Sequence, residues 1–269
     1  GGGGAGENNS AGSTGGGAQG IIVIQYTPKA TFEHSAYKWY ANIASSTVGA
    51  ELTAGLQDAS TTLSAGGTAF RLRLLLHVTN NASTPGVDDL KLQYASTTPG
   101  NCGPAFYGSS AFVDATSTTG EIRFNNNATS TDGEPYVSTS TDPTHGADTR
   151  VAQTYEEAGN FTTTSTIITG RDGMWDFSLI DATAPANTTY CFRVVESDGS
   201  TIATSSSSKI PEIKTAAAGN TAPAVSGVLL NNGSAITLTP TATTSIKVGY
   251  YIQDANGCSD INTSSGGPS

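Results

Sequence analysis

Three observations in the sequence predict an all-β fold: mainly an antiparallel β-sandwich, followed by the start of a second, immunoglobulin-like β domain. Apolar and polar side chains alternate over several short segments, most clearly over residues 70–78 and 189–195. Charged residues make up only 13% of the chain, and the abundance of Ser, Thr, Asn and Gly favours strands and turns over solvated helices. Clusters of Gly, Pro, Asn and Asp separate the alternating segments, as expected for loops between strands.

Residues 173–195 form the centre of the predicted core. Two alternating arms, residues 173–180 and 189–195, flank a loop rich in Asp, Pro and Asn, so we predict two strands joined as a hairpin. Alternate residues of a strand share a face, so six large side chains should meet in one layer. These side chains are Trp175, Phe177, Leu179, Tyr190, Phe192 and Val194. Each contributes about 1.5–3 kcal/mol when fully buried.

The chain divides into four predicted regions. They are a Gly-rich flexible linker (1–20), a β-sandwich domain (21–215), a second linker (216–223) and a partial immunoglobulin-like domain (224–269). The first linker contains two Gly-x-Gly-x-x-Gly matches, but neither follows a strand, and the second leads into a predicted strand. We therefore reject a dinucleotide site.

Local alternation places the individual strands. We predict strands at residues 21–26, 36–40, 51–56, 61–63, 70–78, 90–94, 111–114, 121–124, 162–169, 202–204, 209–213, 228–230, 235–238 and 245–252. Strand 70–78 should pair antiparallel with 90–94, and its Arg71, Arg73 and His77 should lie on a solvated face. Residues 154–158 could form one helical turn. Residues 125–150 form a long loop, and such loops are usually functional or disordered.

The three cysteines favour one disulfide within the first domain. None lies in a Cys-x-x-Cys pair, so zinc-ribbon and thioredoxin motifs have no support. We predict a Cys102–Cys191 disulfide, with Cys258 paired to a residue beyond the end of this sequence. Three buried, inert thiols are the alternative, and alkylation under denaturing, non-reducing conditions distinguishes the two.

The loop at residues 142–148 is the first candidate metal site. Asp142 and Asp148 flank His145, and such a group could bind calcium through the carboxylates or a transition metal through the imidazole as well. An Asx turn in which Asp142 caps Pro143 is the favoured alternative.

A second acidic segment resembles part of a calcium loop. Asp254, Asn256 and Asp260 have suitable oxygens, but the third ligand before the Gly and the final bidentate Glu are missing. A turn that ends a strand is the favoured alternative here. The sequence therefore predicts no cofactor, and it leaves calcium on a surface loop open as the alternative. We expect His34, like His77, to be a surface residue.

Three aromatic residues are candidates for stacking on sugar rings. Tyr37, Trp39 and Tyr40 would serve if exposed, as in carbohydrate-binding sandwiches. The alternation of this segment favours Trp39 as a core residue.

Two resemblances add to these patterns. Residues 185–194 resemble the corner-tyrosine strand of fibronectin type III domains, in which a Pro precedes the Tyr by four residues; here Pro185 precedes Tyr190 by five. The phrases AYKWYAN, AFRLRLLLHV, DLKLQYAS, DPTHGADT, QTYEEAGNF, GMWDFSLIDATAPANTTYCFRVVESDG and IPEI resemble an uncharacterised module of large secreted surface proteins from uncultured, small-genome bacteria. This resemblance implies an exported, multidomain β protein and assigns no catalytic residues.

Several functional classes are disfavoured by the sequence. It contains no Gly-x-Ser-x-Gly elbow, His-Glu-x-x-His pair or Walker loop. The net charge of −10 disfavours nucleic acids and anionic lipids as partners, and no apolar run is long enough for membrane insertion. A hydrolase using Glu156 and Glu157 is the least favoured hypothesis, because the side chains of adjacent residues diverge.

We therefore expect a non-catalytic structural or adhesive module of an extracellular or cell-surface protein. Its partners would be other surface-protein domains or extracellular ligands such as glycans. The alternative is a carbohydrate-binding module of a secreted multidomain protein.

Overall fold

The computed structural model describes residues 22, 28–98, 102–219 and 224–253, and it is an all-β protein, as predicted. The strands are β1 (Thr31–Ala41), β2 (Thr61–Thr62), β3 (Ala69–Asn80), β4 (Asp89–Thr97), β5 (Val113–Asp114), β6 (Ile122–Phe124), β7 (Arg150–Glu156), β8 (Phe161–Thr162), β9 (Asp172–Asp181), β10 (Thr189–Glu196), β11 (Ala203–Thr204), β12 (Glu212–Lys214), β13 (Ala224–Leu230) and β14 (Val248–Gln253). The helical elements of the described residues are α1 (Pro104–Tyr107) and two 3-10 turns, Ser207–Lys209 and Asn231–Gly233.

Two six-stranded sheets form the body of the protein. Sheet A has the order β11-β1-β3-β9-β6, with β7 also beside β9; sheet B has the order β2-β12-β10-β4-β5, with β8 also beside β4. Most neighbouring strands are antiparallel, as predicted. The parallel pairs are β1–β11, β2–β12 and β7–β9.

The core lies between the inner faces of the two sheets. The rings of Trp39 in sheet A and Phe192 in sheet B have centroids 5.4 Å apart, and those of Trp175 and Phe161 are 5.6 Å apart. All six side chains predicted for the central layer belong to this core and are fully buried. The alternation therefore identified the core correctly.

Two predictions of which strands are hydrogen-bonded neighbours were wrong. Strands β9 and β10 do not form a hairpin: β9 pairs with β3 in sheet A, whereas β10 pairs with β4 in sheet B. Strands β3 and β4 likewise lie in different sheets. Period-two alternation determines which side chains face the core, but the inner faces of two opposed sheets have the same pattern.

The outer face of sheet A is buried, which corrects the predicted solvated face. Arg71 and Arg73 are both 0% exposed, because the loop between β6 and β7 and the loop between β1 and β2 cover this face. The guanidinium of Arg73 donates to Val137 O (2.8 Å), and Arg71 donates to Ser45 O (2.9 Å). The long loop predicted at 125–150 is thus a packed cover.

The remaining local differences are small. Residues 154–156 belong to β7 instead of a helical turn, and of the strand predicted at 162–169 only Thr162 is extended, in the short β8. The strand predicted at 51–56 is a turn that follows an isolated bridge between Glu51 and Tyr40. The strand predicted at 21–26 lies, apart from Ile22, outside the described residues. Strands β13 and β14 form an antiparallel pair, while residues 235–238 are not a strand.

Candidate functional site

Four side chains form the candidate site, which we call the His–Asp cluster: His77, His145, Asp148 and Asp172. One ligand atom from each residue, a histidine Nδ1 or a carboxylate oxygen, lies within 4.8 Å of all the others. The cluster lies at the end of the outer face of sheet A, where the covering loop meets the strands.

The pairing of β3 with β9 positions half of the cluster. His77 lies directly opposite Asp172 in the antiparallel register, so both side chains project from the same face of the sheet. The loop supplies the other half. The backbone N–H of Asp148 donates to His145 O (3.0 Å), and this tight turn places both side chains over the strands. Gly146 occupies the left-handed region (φ +55°) that this turn requires.

Nitrogen and oxygen atoms alternate around the cluster at nearly equal distances. His77 Nδ1 lies 3.3 Å from Asp172 Oδ1 and 3.4 Å from Asp148 Oδ2. His145 Nδ1 lies 3.3 Å from Asp172 Oδ1 and 3.2 Å from Asp148 Oδ2. The two imidazole rings are nearly perpendicular, with centroids 5.0 Å apart.

Two buried atoms of the cluster have no hydrogen-bond partner. Asp172 is 1% exposed; its Oδ1 accepts from Ser35 Oγ (2.8 Å), but its Oδ2 is unsatisfied. His77 Nδ1 is also buried without a hydrogen bond, although two carboxylate oxygens lie close to it. Buried polar atoms in this state are uncommon in proteins and call for a partner.

The loop that carries His145 and Asp148 is fixed on both sides. Thr144 donates its N–H to Gln57 Oε1 (3.0 Å), and Gln57 Nε2 donates to Thr144 O (2.9 Å). Arg150 donates to Pro143 O (2.9 Å), and the N–H of Asp172 donates to Thr149 O (3.2 Å). The cluster is therefore held by the fold.

Asp142 belongs to a different group, which corrects the predicted site at 142–148. Its carboxylate is buried against Arg73, accepts from Thr139 Oγ1 and lies 3.4 Å from Arg150. Asp142 and Asp148 therefore do not share a site. Residues 254, 256 and 260 lie outside the described residues.

Asp142 completes what we call the Arg–Asp cluster: Arg71, Arg73, Asp142 and Asp176. Asp176 accepts from Arg71 through both oxygens (2.8 and 2.7 Å) and from Arg73 (2.9 Å). Burial lowers the pKa of Arg73, but Asp176 and Asp142 outweigh this effect and hold it above its usual range. The cluster is a buried ion network in which fixed charges neutralise each other.

The predicted sugar-stacking residues are buried, so that interpretation is wrong. Tyr37, Trp39 and Tyr40 are 2%, 0% and 0% exposed. Tyr37 and Trp39 face the core, while the Tyr40 hydroxyl donates to Thr141 O (2.7 Å) under the loop. His34, expected on the surface, is also buried. Its Nε2 accepts the N–H of Val194 (3.0 Å), and desolvation lowers its pKa to about 4.

Glu156 and Glu157 point to different partners. Thr154 donates to Glu156, whose burial raises its pKa to about 8. Glu157 accepts from the Tyr155 hydroxyl (2.7 Å) and from Asn127 N (2.9 Å). The two carboxyl groups are therefore used separately within the fold.

The predicted disulfide is present. Cys102 and Cys191 are bonded (S–S 1.95 Å), and together with the segment around α1 they cover the outer face of sheet B. Cys258 lies outside the described residues. The hydroxyl of Tyr190, the corner-tyrosine candidate, donates to Glu121 Oε2 (2.7 Å).

These observations define the class: an all-β protein of two packed sheets with a disulfide under one cover and a His–Asp cluster under the other. Comparisons of the chain with protein-family models, curated proteins and solved structures find no match. Among the described residues, no helix has the length and apolar character that crossing a membrane requires.

Sequence reasoning found half of the His–Asp cluster. It selected His145 and Asp148 because they are close in the chain, and it missed His77 and Asp172. These two residues meet only because β3 and β9 are neighbours. A correct strand pairing would have placed a histidine opposite an aspartate and revealed the site.

Proposed function

We propose that this chain is a non-catalytic structural or adhesive module of an extracellular or cell-surface protein. The observation that carries the proposal is the Cys102–Cys191 disulfide, since such bonds persist in oxidising compartments and are rare in reducing ones. The bond joins residues 89 positions apart, and a loop of this length contributes about 4–5 kcal/mol in the chain-entropy model.

The covered outer faces support a structural role. In sheet B the disulfide fastens the cover, whereas in sheet A buried hydrogen bonds and the Arg73–Asp142 ion pair fasten it. Arg73, Asp142 and the Tyr40 hydroxyl are bonded within the fold, where they hold the covering loop to the strands. This pattern suits a module that must keep its shape outside the cell.

The second candidate is a carbohydrate-binding module, but the aromatic residues predicted to stack on sugars are buried. Among the described residues, the exposed aromatic side chains are Tyr250 and Tyr251 in β14. A glycan-binding function would have to use these side chains or polar groups alone.

Surface labelling tests the proposed location. An antibody against the folded domain should label intact source cells, and Cys102 and Cys191 should resist alkylation in protein isolated from them. Labelling only after permeabilisation, or two alkylated cysteines, would contradict the proposal.

A glycan array tests the alternative. We expect no saturable hit for the proposed structural module. A specific hit that is lost in Tyr251→Ala but retained in Val225→Ala, a control on the paired strand, would favour carbohydrate binding.

A further inference from the structure

We propose that His77, His145, Asp148 and Asp172 form a binding site for a tetrahedrally coordinated transition-metal ion, with Zn²⁺ as the expected occupant. The inference rests on the geometry of the His–Asp cluster and does not depend on the proposed function. It also differs from the calcium site that the sequence left open at residues 142–148, because the donor set is different.

The donor atoms select the metal. Two imidazole nitrogens and two carboxylate oxygens suit zinc and related first-row ions, whereas calcium takes six to eight oxygen ligands. Two of the four donors here are nitrogens. A calcium ion would therefore leave both histidines without a function.

Four of the six spacings between the donor atoms match those of a tetrahedral site. Ligands about 2.0–2.2 Å from zinc lie about 3.3–3.6 Å from one another in a tetrahedral site. Four of the six donor-to-donor distances, those between an imidazole nitrogen and a carboxylate oxygen, are 3.2, 3.3, 3.3 and 3.4 Å, and the nitrogen–nitrogen and oxygen–oxygen distances are at most 4.8 Å. One ion near the centre of the cluster could thus contact all four residues with little movement.

The unsatisfied atoms provide independent support. His77 Nδ1, one of the four donor atoms, is buried without a hydrogen bond, and a bound cation would satisfy it. The donor oxygen of Asp172 is Oδ1, and a cation beside it would offset the charge of this buried carboxylate. In the described part of the chain, the ion-pair partners of Asp148 and Asp172 are the two histidines, which are charged only if protonated. A divalent ion would balance both carboxylates.

The surroundings orient the ligands before any ion binds. Ser35 donates to Asp172 Oδ1, the type of outer contact that fixes carboxylate ligands in metal sites. The side chains of His145 and Asp148 remain 31% and 35% exposed, so an ion can enter from solvent. Four protein ligands leave no open position for a substrate, so the site would be structural and would fasten the loop to β3 and β9.

Titration calorimetry tests the site. The protein would be treated with a chelator and would have no polyhistidine tag. It would also carry Cys258→Ser, because a free thiol would itself bind zinc. We expect one Zn²⁺ per chain. His145→Gln and Asp148→Asn should each weaken binding at least about tenfold, and Ser35→Ala about tenfold through Asp172. Asp198→Asn, which removes the same charge at an exposed site, should bind like the parent protein.

Spectroscopy distinguishes the geometry. Co²⁺ in place of zinc should give the intense visible absorption of a four-coordinate site, and this absorption should be lost in His145→Gln. Circular dichroism in the presence of chelator confirms that each variant is folded.

Three results would overturn the proposal: no zinc binding by the folded parent protein, equal affinity in the ligand variants, or a six-coordinate Co²⁺ spectrum. The first of these would mean that the four side chains only contact one another and hold no ion.

Discussion

The Arg–Asp and His–Asp clusters lie on the same face of the same sheet, yet they balance charge in different ways. Arg71, Arg73 and His77 project from the same face of β3. Both arginines contact Asp176 of β9, and His77 contacts Asp172 of the same strand. In the Arg–Asp cluster, guanidinium groups with permanent charge satisfy Asp176 completely. In the His–Asp cluster, the imidazoles leave Asp172 with an unsatisfied oxygen.

Glu156 shows a third outcome of burying a carboxyl group. Burial raises its pKa to about 8, the nearby Asp132 adds to that rise, and no cation opposes it. The group therefore stays protonated at neutral pH. These three carboxyl groups differ: Asp176 is paired with arginine, Glu156 is neutralised by a proton, and Asp172 is, in our proposal, available to a metal ion.

The largest expected effect follows from breaking the arginine network. Asp176→Asn would leave two fully buried guanidinium groups without their shared carboxylate, and it should lower the free energy of unfolding by about 3–5 kcal/mol. Urea denaturation measures the change. Asp198→Asn is the matched control, and a loss below about 1 kcal/mol, the value for a surface pair, would contradict the assigned role.

Replacing Glu156 should stabilise the protein at high pH. Between its ordinary pKa of 4.5 and about 8, the unfolded state releases the proton while the folded state retains it. The wild type therefore loses stability as pH rises, and the full penalty is reached above pH 8. Glu156→Gln removes this titration.

The difference in free energy of unfolding between Glu156→Gln and the wild type should be larger at pH 9 than at pH 4. We expect this increase, in favour of the variant, to be on the order of 3 kcal/mol. Urea denaturation at both pH values measures it. A difference that does not change with pH would show that Glu156 is ionised in the folded protein.

Replacing His34 should stabilise the protein at low pH, because its imidazole is buried without a carboxylate partner. Its pKa falls from 6.5 to about 4, mainly by desolvation. Between these values the unfolded state gains a proton that the folded state does not, so stability is lost as pH falls from 6.5 towards 4. His34→Gln keeps an acceptor for the Val194 N–H and removes this loss.

Relative to the wild type, the free energy of unfolding of His34→Gln should be about 2 kcal/mol more favourable at pH 4 than at pH 8. Thermal or urea unfolding at the two pH values checks it. Equal pH dependence of the variant and the wild type would assign the acid sensitivity to other groups.

The smallest expected effect comes from converting one cluster into the other. His77→Arg would place a permanent cation beside Asp148 and Asp172. In the presence of chelator, we expect a gain of about 1 kcal/mol, since the site is partly exposed. The same variant should lose zinc binding, and retained binding would contradict the ligand assignment.

Local patterning predicted much of this fold. The six residues of the central layer are buried because alternate strand residues face the same side, and no knowledge of neighbours is needed for that inference. The failures concern distant contacts. The hairpin predicted at 173–195 is a crossing between sheets, because hydrogen bonding to β3 and β4 determines the partners of β9 and β10.

The outer face of sheet A shows why the candidate site was only half predicted. Alternation correctly placed Arg71, Arg73 and His77 on one side of β3, but a charged strand face looks the same whether water or a loop covers it. The loop at 125–149 buries that face through contacts separated by many residues, such as Arg73 with Val137. The polar pattern alone therefore predicted solvent exposure.

The sequence by itself determined the all-β class, the composition of the core and the proximity of His145 to Asp148, because these depend on residue type and local spacing. Only the tertiary structure decided which strands are neighbours, which polar face is covered, and that His77 and Asp172 join the same cluster. Those features depend on contacts between distant segments, whose free energy is not encoded in any single stretch of the chain.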